Sequence, residues 1–305
     1  MVGSRLSVLL VVAAGILFGT AGTARAFGPA DLGPTAIGIL RIQVGAIALF
    51  AVLPLLGVRW RRLPQLWRRP QILVTALGAG LYQPLFFGSV SLTGVALGTL
   101  VAVGAEPVFA GLGGWLFLGH RPTRGWLAAT AIAVAGLVLR SWDGLGAQGS
   151  GDSLGLLMAL GAGLCSAAWN LAAKHQLDAG VTAVEIPAAS FTLGGLLLLP
   201  LLAIQPLGAL AQPSAIGLAL FLGIATMAVA NVLLTHGIHG LPPGPAATLM
   251  LTDPVVATLL GVVVLGEHLS VTASIGVVLV LAGLLFQGVA AARADPGDLE
   301  PAPVL

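Results

Sequence analysis

Glu106-Pro107-Val108-Phe109-Ala110 and Asp253-Pro254-Val255-Val256-Ala257 are two versions of one pentad, each set inside a long apolar run. The segments downstream of the two pentads also match: Leu118-Gly119-His120 against Leu265-Gly266-Glu267, then Ala135-Gly136-Leu137 against Ala282-Gly283-Leu284. The offset is 147 residues at each point (106 to 253, 118 to 265, 135 to 282). The chain therefore reads as a duplication that keeps a carboxylate at matching depth in each copy. An acid inside a membrane-length run is costly and marks a substrate path or proton relay. Two repeats around a midplane site are the plan of a secondary transporter.

Composition supports the membrane setting. Of 305 residues, 57% are hydrophobic and 8% charged, against about 25% charged in soluble proteins. The apolar runs are about 17 to 25 residues long, enough at 1.5 Å per residue to cross a hydrocarbon core of roughly 30 Å. They are continuous rather than alternating, which excludes a membrane β-barrel. The expected fold class is an all-α polytopic membrane protein with ten transmembrane helices in two inverted five-helix repeats. The spans are expected near 6–26, 35–56, 71–91, 95–118, 125–141, 153–174, 184–204, 214–236, 245–265 and 271–291. The first repeat occupies 1–142, a Gly-rich polar link 143–152, the second repeat 153–291 and a polar, disordered tail 292–305.

The N-terminus imitates a signal peptide, with Arg5, the apolar stretch Leu6 to Phe18 and Ala24-Arg25-Ala26. It is read as the first span, because Ala14-Gly15-Ile16-Leu17 has a counterpart in Ala162-Gly163-Leu164-Cys165. The single cysteine, Cys165, excludes an intrachain disulfide and reads as a small packing residue. Most of the 43 glycines read as close-packing positions between helices.

Lys and Arg set the orientation. With the N-terminus inside, ten fall on the cytoplasmic side: Arg5, five arginines from Arg59 to Arg69, Arg121, Arg124, Lys174 and Arg293. Two, Arg25 and Arg140, fall outside. Both termini are thus expected in the cytoplasm, with the chain in a cell (plasma or inner) membrane. Five spans per half is an odd number, so the second half enters from the opposite side. The link 57–70 holds five arginines and its counterpart 205–213 none, the charge reversal an inverted pair requires.

Chemistry rests on few residues. Glu106 lies about eleven residues from either end of its span, where an ionised carboxylate costs roughly 2.5–3.5 kcal/mol. It needs either a proton or a cationic partner such as Arg41, which sits about six residues, roughly 9 Å, inside the second span. Asp253 carries the same argument. Arg41 either snorkels to the interface or turns inward to fork onto a carboxylate of substrate or protein. Pro107 and Pro254 each remove a backbone donor, so both helices are expected to kink there and serve as hinges. Tyr82, Gln83, Trp169, Asn170 and Asn231, with Thr20 and Thr23, supply the few polar groups that a mostly apolar pocket uses. Each also serves as an ordinary interhelical hydrogen bonder. His236 and His239 have no carboxylate or cysteine at ligand spacing, so no metal site is expected. No phosphate-cradling glycine loop is present, which argues against ATP-driven pumping, and no cofactor or nucleic acid is implied.

The paired Pro-Val, Leu-Gly-(Glu) and Ala-Gly-Leu pattern resembles the drug/metabolite transporter superfamily, EamA type, over residues 5 to 290. Its most specific part runs from Asp253-Pro254-Val255 through Leu265-Gly266-Glu267 to Gly276 and Gly283. The first half departs from it at His120, where the family usually has glutamate. The resemblance also places a basic residue near the start of the second helix, here Arg41. It implies a secondary transporter of small metabolites, often an exporter of amino acids or toxic compounds. Protons are a possible coupling partner, and nothing in the pattern sets an oligomeric state. The competing classes are a membrane scaffold or channel, and an intramembrane enzyme in which Glu106 and Asp253 would be the acid pair.

Overall fold

The computed structural model describes residues 4–29, 31–58, 60–93, 95–147, 153–203, 208, 212–266, 268 and 270–293. Among these, every regular element is helical. The order is α1 (Ser4–Ala26), α2 (Pro34–Val52), a short α3 (Leu63–Leu66), α4 (Pro70–Thr93), α5 (Val95–Leu118) and α6 (Arg124–Ala147) in the first half. The second half runs α7 (Ser153–Asp178), α8 (Glu185–Ala203), α9 (Pro213–Phe221), α10 (Ala230–His239), α11 (Pro243–Leu249), α12 (Thr252–Leu265) and α13 (Val271–Arg293). A widened, π-helical turn, Leu222–Val229, joins α9 to α10.

Among the described residues, nine helical runs are long and apolar enough to cross a membrane. The protein is a multi-pass membrane protein. The fifth expected span, 125–141, falls within α6, which continues to Ala147, and its apolar run among the described residues is Arg124–Leu139. That continuation takes up part of the expected link 143–152. Residues 148–152, Glu267 and the tail from 294 lie outside the described residues.

One further expectation is corrected. The basic stretch between the second and third spans, expected as a plain break, forms helical turns whose Leu63 and Leu66 are buried in the main core. The ninth span, Pro243–Leu265, is long and apolar enough to cross a membrane, and a tightened turn at Met250–Leu251 separates its segments α11 and α12.

Lipid offers helices no hydrophobic incentive to associate, so small residues and interhelical hydrogen bonds hold them. Gly136 on α6 meets the Gly276 carbonyl and Val280 of α13, where an added Cβ would stand 2.6 Å from each. Gly283 on α13 makes the reciprocal approach to Ala129 and Ala133 of α6, at 2.8 Å. Gly15 on α1 sits against Thr252 and Asp253, and Gly163 on α7 against Ala102 and Ala105. Each contact therefore recurs at the equivalent pair in the other half. Between these bundles, Ile39 and Ile42 of α2, Trp169 of α7, Phe191 of α8 and Ile238 of α10 form the main buried core.

Candidate functional site

Four titratable groups from four helices come together. Arg41 of α2 lies within electrostatic reach of Tyr82 of α4 and Asp253 of α12. Tyr82 in turn senses Glu106 of α5 as well as Asp253 and Arg41, and Glu106 senses Asp253. All four side chains are half-buried. Arg41 does not point outward along its helix. Its guanidinium stands over the Phe18 ring of α1, 5.7 Å from the centroid, and its Nε is buried. Of the two acids for which Arg41 was a candidate partner, Asp253 is the one whose charge acts on it.

Glu106 has neutral partners instead. Asn170 of α7 donates its Nδ2–H to Glu106 Oε1 at 3.0 Å, and the Ser166 side chain, one turn earlier on the same helix, hydrogen-bonds to it as well. Ser166 was missed in the sequence, although its i,i+4 spacing from Asn170 puts both on one helix face.

The two proline sites differ. Pro107 lies inside α5, which runs on unbroken from Val95 to Leu118. Pro254 is the third residue of α12, a position that has no intrahelical N–H bond to lose. The assigned helix is interrupted in the second half alone, by the Met250–Leu251 turn that precedes Pro254. Asp253, in the first turn of α12, occupies the positive end of a helix dipole, which favours an anion.

The remaining expected residues scatter around this centre. Gln83 is buried against Gly38 and Phe87, with Gly38 one turn before Arg41. Trp169 belongs to the core and stacks on Phe191 with ring centroids 6.5 Å apart. Asn231 turns back on its own helix and donates to the Met227 carbonyl at 2.8 Å, beside the π-helical turn. Thr20 likewise donates to the Leu17 carbonyl at 2.6 Å, while Thr23 is buried. Arg41 Nε, Gln83 Oε1, Trp169 Nε1 and Asn170 Oδ1 are buried without a hydrogen-bond partner. Two donors and two acceptors thus have capacity for a bound molecule.

A recess of about 310 Å³ lies elsewhere, lined by Ala24, Phe27, Ser214, Gly217, Leu218 and Phe221. It holds no charged residue and shares none with the cluster, so it does not displace the charged centre as the candidate site. At the far end of α7, Lys174 donates to the His239 carbonyl at 2.6 Å and pairs with Asp178 at 3.2 Å. His120, beside them in the α5–α6 loop, is held below its usual pKa by burial and then by Lys174. Glu185 is fully buried. It caps α8 through Thr182, whose N–H and hydroxyl both donate to Oε2, at 3.0 and 2.9 Å. The Thr182-x-x-Glu185 spacing is a capping box that was legible in the sequence.

Comparison with known proteins decides the family. The family model described as the EamA-like transporter family matches twice, over residues 5–142 and 153–288. The chain belongs to the EamA-like transporter family. It is a transporter of the drug/metabolite transporter superfamily rather than an enzyme. Its EamA relatives include the "Uncharacterized transporter YwfM" of Bacillus subtilis, 35% identical over 279 residues, which cover 91% of this chain and 92% of that one. Another is the "Probable terminal-alkyne amino-acid exporter" of Streptantibioticus cattleyicolor, 28% identical over 256 residues and 83% of each chain. A solved crystal structure, 20% identical, aligns with a TM-score of 0.78 over 96% of this chain and 100% of that one, so the EamA chain shares its fold.

Proposed function

We propose that this protein is a secondary active exporter of amino acids or closely related zwitterions. It works by proton-coupled alternating access around the Arg41, Tyr82, Glu106 and Asp253 centre. The observation that carries this is the meeting of one guanidinium, one phenol and two carboxylates from both halves of the chain. A zwitterion presents an anion for Arg41 and a cation for the acids. Arg41 can hold a substrate carboxylate by bidentate hydrogen bonds, and Glu106 and Asp253 can take the ammonium or a proton. Gln83, Asn170 and Trp169 offer unused hydrogen-bonding atoms nearby, and Asn231 flanks the π-helical turn, a feature frequent at functional sites. The printed name of the Streptantibioticus relative supports an amino-acid cargo.

The frame of this reading is ten spans in two inverted repeats, with both termini in the cytoplasm. Support comes from the two separate family matches, the reciprocal glycine contacts between halves and the ten-to-two distribution of Lys and Arg. The interruption between α11 and α12 is the natural hinge, because helices broken beside a site line its cavity in transporters.

The test is counterflow of labelled amino acids in proteoliposomes under an imposed pH gradient. Saturable flux of a narrow set, driven by the gradient and lost in Asp253→Asn, is expected. Flux that neither saturates nor responds to pH would point to a channel or scaffold. Reporter tags at residue 1 and residue 305 should be cytoplasmic and one in the 148–152 link external; a cytoplasmic link would overturn the inverted repeat.

A further inference from the structure

The connection between α2 and α4 is a rigid platform with one cationic face. Its inner side is pinned by Leu63 and Leu66, both buried in the core. It is also held by the Trp67 indole, which donates to the Ala189 carbonyl of α8 at 3.1 Å. A backbone bond from Arg69 N–H to the Leu66 carbonyl, 2.8 Å, closes the turn into α4. The outer side carries Arg61, Arg62, Gln65, Arg68 and Arg69, all exposed. Arg62 reaches back to buried Glu185 at 3.1 Å. Arg61, Arg68 and Arg69 have no ion-pair partner among the described residues. The segment 57–70 contains no acidic residue. Three guanidinium groups therefore stand on a fixed base with their charge uncompensated.

The height of this platform in the membrane is also set. The Trp60 ring stacks on Phe50 with centroids 5.3 Å apart, and its Nε1–H donates to the Phe50 carbonyl at 2.8 Å. Around it Ile47, Phe50 and Leu55 are exposed apolar side chains, the surface that faces lipid in a spanning helix. Tryptophan at such a boundary settles at the headgroup level, which puts the arginines beside the phosphates. Guanidinium forks match phosphate oxygens.

We infer that this platform binds the headgroups of anionic phospholipids in the leaflet it faces. An anionic headgroup is selected because a choline or ethanolamine headgroup carries its own cation to offset the phosphate. The segment is also clamped to α8 through Trp67 and Arg62, so a bound headgroup secures a contact between the first half and the second.

The experiment uses the purified full-length protein in detergent. It is titrated with phosphatidylglycerol, with phosphatidylcholine of the same acyl chains, or with inorganic phosphate. Binding is read by native mass spectrometry and by the thermal unfolding midpoint. Phosphatidylglycerol should bind and raise the midpoint, while the other two should not. R61Q/R68Q/R69Q should bind phosphatidylglycerol about a hundredfold more weakly with an unchanged lipid-free midpoint. Equal stabilisation by phosphatidylcholine or by phosphate, or undiminished binding in the triple variant, would overturn the inference. If the triple variant does not fold, the wild-type protein decides: its affinity must fall with rising ionic strength, and salt-independent binding overturns the inference.

Discussion

The two acid-bearing helices lie in segments that match the same family model, yet they solve the same problem differently. In the first half, α5 passes unbroken through Glu106-Pro107, and its carboxylate is satisfied sideways by Asn170 and Ser166 of α7. In the second, the helix tightens into a turn at Met250–Leu251, and Asp253 follows in the first turn of α12 within electrostatic reach of Arg41. The residues around the turn explain the difference. Thr248 donates to the Gly244 carbonyl at 3.1 Å and Thr252 to the Leu249 carbonyl at 2.8 Å, so hydroxyls bond carbonyls around the interruption. Thr248 is also within 2.8 Å of Thr130 Oγ1. The counterparts 147 residues earlier are Val101 and Ala105, which carry no hydroxyl. Both runs nonetheless end alike, with Gly119 and Gly266 in the left-handed conformation (φ 72° and 70°) that terminates a helix.

The largest effect is expected at Arg41. Arg41→Ala leaves Asp253 without its guanidinium neighbour inside the protein and should cost about 3–5 kcal/mol of stability. Adding Asp253→Asn should recover most of that loss, while adding Glu106→Gln should recover none. Thermal unfolding of the three variants decides it, and rescue by Glu106→Gln would erase the distinction between the two acids.

Transport should separate them next. Both Glu106→Gln and Asp253→Asn are expected to insert and fold, yet Asp253→Asn should cut flux roughly 100-fold. Glu106→Gln should cost nearer tenfold, since glutamine still accepts the hydrogen bond from Asn170, and flux in at least one of the two should no longer vary with pH. Equal, proton-linked activity in both variants would reduce the pair to structural polar groups.

A smaller effect belongs to the turn itself. Thr252→Val, which keeps shape and removes the hydroxyl, should destabilise by about 1 kcal/mol. The reverse change in the unbroken helix, Ala105→Thr, introduces no comparable gain. A midpoint unchanged by Thr252→Val would mean that the hydroxyl does not support the interruption.

The smallest concerns the loop where the copies diverge, His120 against Glu267. Burial holds His120 below its usual pKa of 6.5, so the unfolded chain takes up a proton before the folded one does. Stability is then intact above about pH 6.5 and declines as the pH falls from there toward the folded pKa. His120→Gln should make that decline shallower in a series of melts across this range; an identical slope would exclude His120 as a contributor.

Much of this was legible in one dimension. Apolar run length against bilayer thickness set the membrane class, the 147-residue offset exposed the duplication, and the cost of an intramembrane charge singled out Glu106, Asp253 and Arg41. These are local properties, readable without knowing which helix faces which. Pairing was not legible. That Arg41 lies with Asp253, that Asn170 and Ser166 serve Glu106, and that Trp169 and Asn231 turn to core and own helix depend on helix rotation. Small-residue contacts between distant segments fix that rotation. Sequence by itself determined which groups must be handled inside the membrane; only tertiary packing decided by whom, since an interaction between helices has no signature in either helix alone.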